Sequence, residues 1–405
     1  MGEFATLSIG GYELTSFKNH PFGYGVPQWL IVFTERDRQV VRQGRKTTYR
    51  YEIVAETARH RLDLMGFSSR RVKAAYTRAR RKQLHELDGD DPPSVETEHL
   101  RELTYEVWCR TFAGLKNGAV TPWDPRRQLT ALETLLLADD DYRGDGPFAF
   151  PGIDPRWFLR AVLELCDRSE HLVFDYTDLV GWTYRRGGLP CSEARDALAG
   201  DPSSRPVVVL TEGKTDRVAI EGALKLLHPS LSDYYTFFDF EENRAPGGAD
   251  YLANVVKAFV GAKISNRVIA LFDNDSAAAC ALRDLADVHL PANMRVLQLP
   301  QLPMAMRYPT MGPTGRKVMN INGLATALEL YFGAELLQHP TGGMEPVVWT
   351  GNVAGKWQGR LENKAIVQKK FSAKLQRALA NPEQPLGGDW TGMQLICNAL
   401  LKAFE

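Results

Sequence analysis

The sequence predicts an α/β protein: a mostly parallel sheet with helices on both faces, preceded by a mainly α N-terminal region and followed by a helical C-terminal extension. Three observations predict it. Apolar runs alternate with helix-period segments from Val207 to Leu299. Two of those runs end abruptly in carboxylates, Pro206-Val-Val-Val-Leu-Thr-Glu212-Gly213 and Val268-Ile-Ala-Leu-Phe-Asp273-Asn-Asp275. The stretches before 200 and after 337 carry more helical periods than strand patterns. A run of Val, Ile and Leu bounded by glycine and acids reads as a strand buried on both faces. Strands alternating with helices give a parallel sheet with covered faces.

Residues 5–200 read as short strands at Leu7–Leu14 and Trp29–Phe33, then helices at Thr48–Leu64 and Ser69–Leu87, the second strongly basic. Asp88-Gly-Asp-Asp-Pro92-Pro93 reads as a solvated linker. Helices follow near 97–115, 126–138 and 155–168, and His171–Val180 reads as strand and turn. The turn-rich Asp201–Pro206 marks a junction. In 204–336, strands are expected at Val207–Thr211, Tyr234–Phe240, Arg267–Phe272 and Met294–Leu299. The helices between them are Thr215–Leu227, Ala249–Val260 and Ala277–Ala286. In 337–405, helices are expected near 363–380 and 389–403.

The chain has 405 residues, enough for two or three cores. Its 49 basic and 49 acidic side chains cancel, so no global field draws it to nucleic acid and any such binding must use local patches. Five scattered cysteines without a Cys-x-x-Cys pair argue against a zinc site and a disulfide framework. No apolar run approaches the roughly 20 residues of a membrane span. The expectation is a cytoplasmic protein with no membrane partner.

Ligands of open parallel sheets bind beyond the carboxyl ends of the strands, so Glu212, Asp273 and Asp275 are expected at one rim. Asp273 and Asp275 would point the same way if the strand runs that far. Acids held together repel each other, and a divalent cation with hard oxygen ligands, Mg²⁺ or Mn²⁺, relieves the repulsion. Asp216 would lie in the first turn of the helix after Glu212, as a ligand or as a charge favoured by the helix dipole. Glu329, on an expected helix after Asn320-Ile-Asn-Gly323, is a further candidate ligand or a solvated glutamate. Gly247-Gly248 before a helix reads as a turn or a phosphate cradle.

At these residues the chain resembles the Toprim family, the catalytic domain of topoisomerases, bacterial primases and several nucleases. The resemblance lies in Glu212-Gly213 after one strand and Asp273-x-Asp275 after a later one, about 60 residues on. It implies metal-dependent phosphodiester cleavage, with Glu212 as general acid/base or metal ligand and Asp273 and Asp275 holding metal. Asp216 matches Toprim nucleases of the overcoming-lysogenization-defect type. An Asp-x-Asp also occurs in haloacid-dehalogenase-type phosphatases, but there it normally follows the first strand of the domain.

The whole chain is similar to the HEPN/Toprim-associated proteins. That likeness lies in Ile9-Gly-Gly-Tyr-Glu-Leu14 with Lys18-Asn19, Phe174-Asp-Tyr-Thr-Asp-Leu179, Leu271-Phe-Asp-Asn-Asp-Ser-Ala-Ala278 and Tyr308-Pro-Thr-Met-Gly-Pro-Thr-Gly315. It implies a nuclease of bacterial conflict or antiviral defence, acting on DNA or RNA, alone, as a homo-oligomer or with a defence-system protein. Many HEPN ribonucleases carry Arg and His four to six residues apart. Arg80 and His85 fit, but so do Arg283 and His289 inside the second region. The other readings are a basic helix, with Arg78, Arg80 and Arg81 gripping phosphates, or a solvated face. Lys364, Lys369, Lys370 and Lys374 form a second basic helix with the same two readings. A HEPN-type ribonuclease regulated by the second domain and a non-catalytic nucleic-acid-binding subunit remain the alternatives.

Overall fold

The computed structural model describes residues 4–18, 26–87, 95–121, 128–138, 147–152, 154–180, 190–239, 247–340, 342–381 and 386–404. The expected linker at Asp88–Pro93 and the motif residue Asn19 lie outside them. The chain divides into two units, one reaching to Ser204 and the other from Arg205 to Phe404.

In the first unit the strands are β1 (Phe4–Ile9), β2 (Tyr12–Lys18), β3 (Arg38–Gln43), β4 (Lys46–Val54) and β5 (His171–Asp175). They form an antiparallel sheet in the order β2-β1-β5-β4-β3. The helices are α1 (Val26–Leu30), α2 (Ala55–Leu64), α3 (Ser69–Leu87), α4 (Val95–Glu102), α5 (Tyr105–Asn117), α6 (Ala131–Leu137), α7 (Pro155–Glu164) and α8 (Pro190–Ala197). Their core is aromatic: Trp108 stacks on Phe112 at 5.2 Å and meets Phe150 and Phe158 edge-on. Several expectations fail here. Leu7–Leu14 is not one strand but the β1–β2 hairpin, turning at Gly10-Gly11, and 97–115 is α4 and α5 rather than one helix. Thr48–Leu64 is not one helix but β4 followed by α2, because Tyr51 and Ile53 are buried at period two. Trp29–Phe33 is not a strand; α1 ends at Leu30 and a turn follows. All five residues are buried, and a continuous apolar run carries no period to separate strand from helix.

In the second unit β6 (Val207–Leu210), β7 (Tyr235–Phe237), β8 (Val268–Phe272), β9 (Asn274–Asp275) and β10 (Met294–Gln298) alternate with α9 (Lys214–Leu227), α10 (Ala249–Gly261) and α11 (Ser276–Asp284). β10-β8-β6-β7 is a parallel sheet, as the rhythm predicts. Every residue of β8 is buried, which is why that strand reads as a run rather than an alternation. A second sheet, β12-β11-β14-β15, is built from β11 (Tyr308–Gly312), β12 (Gly315–Met319), β14 (Val347–Val353) and β15 (Lys356–Leu361), while β13 (Ala325–Thr326) pairs with β9. The last helices, α12 (Lys364–Ala380) and α13 (Thr391–Leu401), pack against α9. The segment after 337 is therefore not purely helical. The β14–β15 hairpin turns at Ala354-Gly355, both at positive φ (48° and 83°), as a tight two-residue hairpin turn requires. Among the described residues no helix is long and apolar enough to cross a membrane.

Candidate metal centre

β6 and β8 are adjacent and parallel, with Leu210 opposite Ala270. Their ends deliver Glu212 and Asp273 to the same rim. The Asp273 N–H donates to Glu212 Oε1 at 2.8 Å, tying the two strand exits together. Gly247-Gly248 braces this tie from behind. The Gly248 N–H donates to the Glu212 carbonyl at 2.8 Å, and a Cβ on Gly247 would come within 2.9 Å of that same oxygen. The glycine pair thus serves the backbone of the acidic loop.

Asp216 stands in the first turn of α9, as expected. Asp275 departs from the alternation argument. β8 stops at Phe272, and Asp275 becomes the N-cap of α11. Its Oδ1 accepts from the Ala278 N–H at 2.8 Å and its Oδ2 from Gln358 Nε2 at 2.7 Å. Glu329 lies in a 3₁₀ turn, Leu328–Tyr331, rather than on an α-helix, and is 1% exposed. It accepts from Gln368 Nε2 at 2.7 Å and pairs with Lys364 Nζ at 2.9 Å. Lys364 and Gln368 are one turn apart on α12, so one helical face carries both. Gln358, Gln368 and the ion-pair role of Lys364 are what sequence reasoning missed. The only signal was the basic helix, because nothing local shows which face packs on the acids.

The side chains act on one another electrostatically. Burial, reinforced by Asp275 and Asp216, raises the Glu212 carboxyl to about 7, against the Asp273 amide and Lys364. Burial and then Glu329 raise Asp216 to about 6, with Lys364 opposing. Asp273 is held well above the carboxylate range by burial and by Glu212, Asp216, Asp275 and Glu329 together. Among the described residues its carboxylate accepts no hydrogen bond. An all-oxygen donor set with this surplus of negative charge suits a hard divalent cation, Mg²⁺ or Mn²⁺. Glu212, Asp216 and Asp273 could hold one, with Asp275 and Glu329 already partly satisfied by Ala278, Gln358, Gln368 and Lys364. Among the described residues no three of these acids bring ligand atoms within 4.8 Å of one another. Among the described residues, the group of three whose ligand atoms all lie within 4.8 Å of one another is His339, Glu345 and Glu362, none of them a residue the sequence singled out as a ligand.

A pH prediction follows from the raised Glu212 and Asp216 carboxyls. An acid whose folded pKa is raised contributes stability that is complete below its unfolded value and is lost as pH rises through the folded value. With unfolded values near 4 and folded values of about 7 and about 6, the window runs from about pH 4 to 7. In chelator, the melting temperature of the wild type should fall across that window more steeply than that of Glu212→Gln, and Mg²⁺ should reduce the difference. Equal slopes in the two proteins would remove Glu212 from this environment.

The expected nucleic-acid contacts scatter. Arg78 and Arg81 are exposed on α3, and Lys369 and Lys370 on α12. The Arg80 guanidinium instead donates to the Leu100 carbonyl at 3.2 Å and to the Arg101 carbonyl. His85 is exposed, and five residues along a helix place it about 140° around the axis from Arg80.

Residues 1–196 match the family model described as HEPN/Toprim N-terminal domain 1. This match over the first 196 residues is consistent with the HEPN/Toprim-associated family. No curated protein and no solved structure matches the chain. The matched segment ends within α8, so the carboxylate centre lies beyond it and rests on its own geometry.

Proposed function

We propose that the second unit carries a Toprim-type domain, near 204–336, that cleaves phosphodiesters of nucleic acid with Mg²⁺ or Mn²⁺. In this reading 5–200 is the HEPN/Toprim N-terminal domain and the protein serves bacterial conflict or antiviral defence. The observation that carries it is the gathering of Glu212, Asp216 and Asp273 at the exits of two adjacent parallel strands, with Asp275 and Glu329 in electrostatic reach. A bound cation would supply Lewis acidity, an activated water and charge for the leaving oxygen. The chain's part is to hold oxygens in place. Asp275 is fixed by the Ala278 amide and Gln358, and Glu212 by the Asp273 amide. A carboxyl near 7 can hold or give up a proton at neutral pH, which suits Glu212 to general acid/base work on the leaving oxygen. The test is incubation of the protein with DNA and RNA panels in Mg²⁺, Mn²⁺ or chelator. Metal-dependent cleavage is expected, and its absence on every substrate would overturn the reading. The Lys364–Glu329 ion pair favours one other reading, a nucleic-acid-binding subunit in which the lysine supplies the neutralising charge. Metal binding without turnover would select it.

Substrate grip is assigned to local patches, since net charge is zero. Because Arg80 is engaged by α4 carbonyls, the informative variant reverses only Arg78 and Arg81 to Glu. It should weaken binding and lower the salt slope by about two charges. An unchanged slope would show that α3 does not face the substrate.

A further inference from the structure

The first unit contains a cavity of about 350 Å³ that the proposed cleavage does not use. It is lined from α2, the start of α3 and the region of α7, by residues that include Arg59, His60, Ser68, Arg70, Arg160 and Arg168. Ser68 is the informative one. It is 4% exposed, and its Oγ has no hydrogen-bond partner. Its carbonyl accepts from the Arg71 and Val72 amides at 2.9 and 3.0 Å, so it occupies the capping position of α3. A serine there normally turns its oxygen onto an amide of the first turn. Here it does not, which leaves a buried hydroxyl unsatisfied beside the cavity, an arrangement folded proteins avoid unless a ligand or water completes it.

Two further features give the missing partner its chemistry. α3 is 19 residues long and has no acidic side chain in its first turn, so the positive end of its dipole is not neutralised from within. The cavity wall is also net cationic. Arg160 engages Asp63 at 2.9 Å and Glu164, which satisfies two of the three acids present. Glu56 is left to Arg168 at 3.4 Å in an exposed, weak pair. Arg59 spends its hydrogen bonds on the Leu163 and Cys166 carbonyls, at 2.8 and 2.6 Å, so its charge has no counter-ion in those bonds. Four arginines therefore face three carboxylates. A hydroxyl, a helix N-terminus and guanidinium groups converging on one space present donors from several directions. That arrangement suits a tetrahedral oxyanion with many acceptor oxygens. The cavity is within the size range of small-ligand sites, roughly 300–1,000 Å³.

We infer that this cavity is a phosphoryl-binding site, distinct from the carboxylate centre and independent of its chemistry. Ser68 and the start of α3 hold the phosphate oxygens, and Arg70 and Arg168 close over them. The group can arrive as free phosphate or a mononucleotide, or as the phosphorylated end of a polynucleotide.

The test is isothermal titration of the full chain at low ionic strength. The titrants are sodium phosphate, adenosine monophosphate, and one short oligonucleotide with and without a 5′ phosphate; sodium chloride at equal ionic strength is the control. Phosphate is expected to bind where chloride does not. Arg70→Gln should weaken it about tenfold and Ser68→Ala about threefold, the sizes of a lost charged and a lost neutral hydrogen bond. Ser68→Ala breaks no existing bond, so without phosphate it should melt no lower than the wild type while losing part of the phosphate-induced rise. A merely structural serine would not show that split. A preference for the 5′-phosphorylated oligonucleotide that Arg70→Gln removes assigns the polynucleotide end. Equal affinity of the two oligonucleotides, with adenosine monophosphate still bound, assigns the free form. No difference between phosphate and chloride, or phosphate affinity unchanged in both variants, overturns the site.

Discussion

Asp273→Asn should lower metal-dependent cleavage by about a thousandfold, several kcal/mol of transition-state stabilisation, and should also raise the melting temperature of the metal-free protein. Both effects come from one feature. The carboxylate stands among Glu212, Asp216, Asp275 and Glu329, which with burial hold it well above the ordinary range, and it accepts no hydrogen bond among the described residues. Asparagine keeps the volume and deletes the charge, so the core stays filled while the repulsion falls. The gain should be on the order of 1 kcal/mol, the usual trade of stability against function at such a site. Asp275→Ala supplies the contrast. It should also abolish cleavage, yet lose stability by about 1 kcal/mol, because Asp275 caps α11 and accepts from Gln358. Cleavage rates in Mg²⁺ and melting curves in chelator measure both. Full turnover by Asp273→Asn would remove the centre from the chemistry.

That contrast shows what the sequence could and could not convey. The two acid-ended runs, their parallel pairing and the rim they share follow from composition alone, because a strand buried on both faces has little freedom in what residues it uses. The role of Asp275 as a cap was hidden. Asp-x-Asp fits a continuing strand as well as a strand end followed by a helix, and only the start of α11 decides between them. Lys364, Gln358 and Gln368 were out of reach for another reason. They come from elements more than 80 residues beyond Asp275, or from α12, and no local period reports which distant face packs on which. The β3–β4 hairpin was lost because Thr48–Leu64 joins a strand to a helix with no glycine or proline between them, and such a junction leaves no punctuation to read. Arg80 looked available because a spacing rule sees the side chain but not the carbonyls it serves.

The second large effect separates the two candidate catalytic sites. Glu212→Ala should abolish cleavage, whereas His85→Ala should leave it within about twofold of the wild type, the scatter expected for an exposed residue outside the site. A metal-free ribonuclease at Arg80 and His85 would need both side chains on one scissile phosphate. Instead, Arg80 donates to the carbonyls ending α4, and His85 is exposed about 140° further around the same helix. Glu212 by contrast is tied to the Asp273 amide and titrates near neutrality. Glu212→Ala also cuts that tie, so Glu212→Gln is the companion variant: its amide oxygen can still accept from Asp273, but it holds no titratable proton. Loss of activity in both variants assigns the proton or the charge, and loss in Glu212→Ala alone assigns the tie. Chelator supplies the independent arm, since removing the cation should stop a carboxylate-centre nuclease and spare a His/Arg ribonuclease. RNA cleavage that persists in chelator and in Glu212→Ala, but disappears in His85→Ala, would move the catalytic site to the first unit.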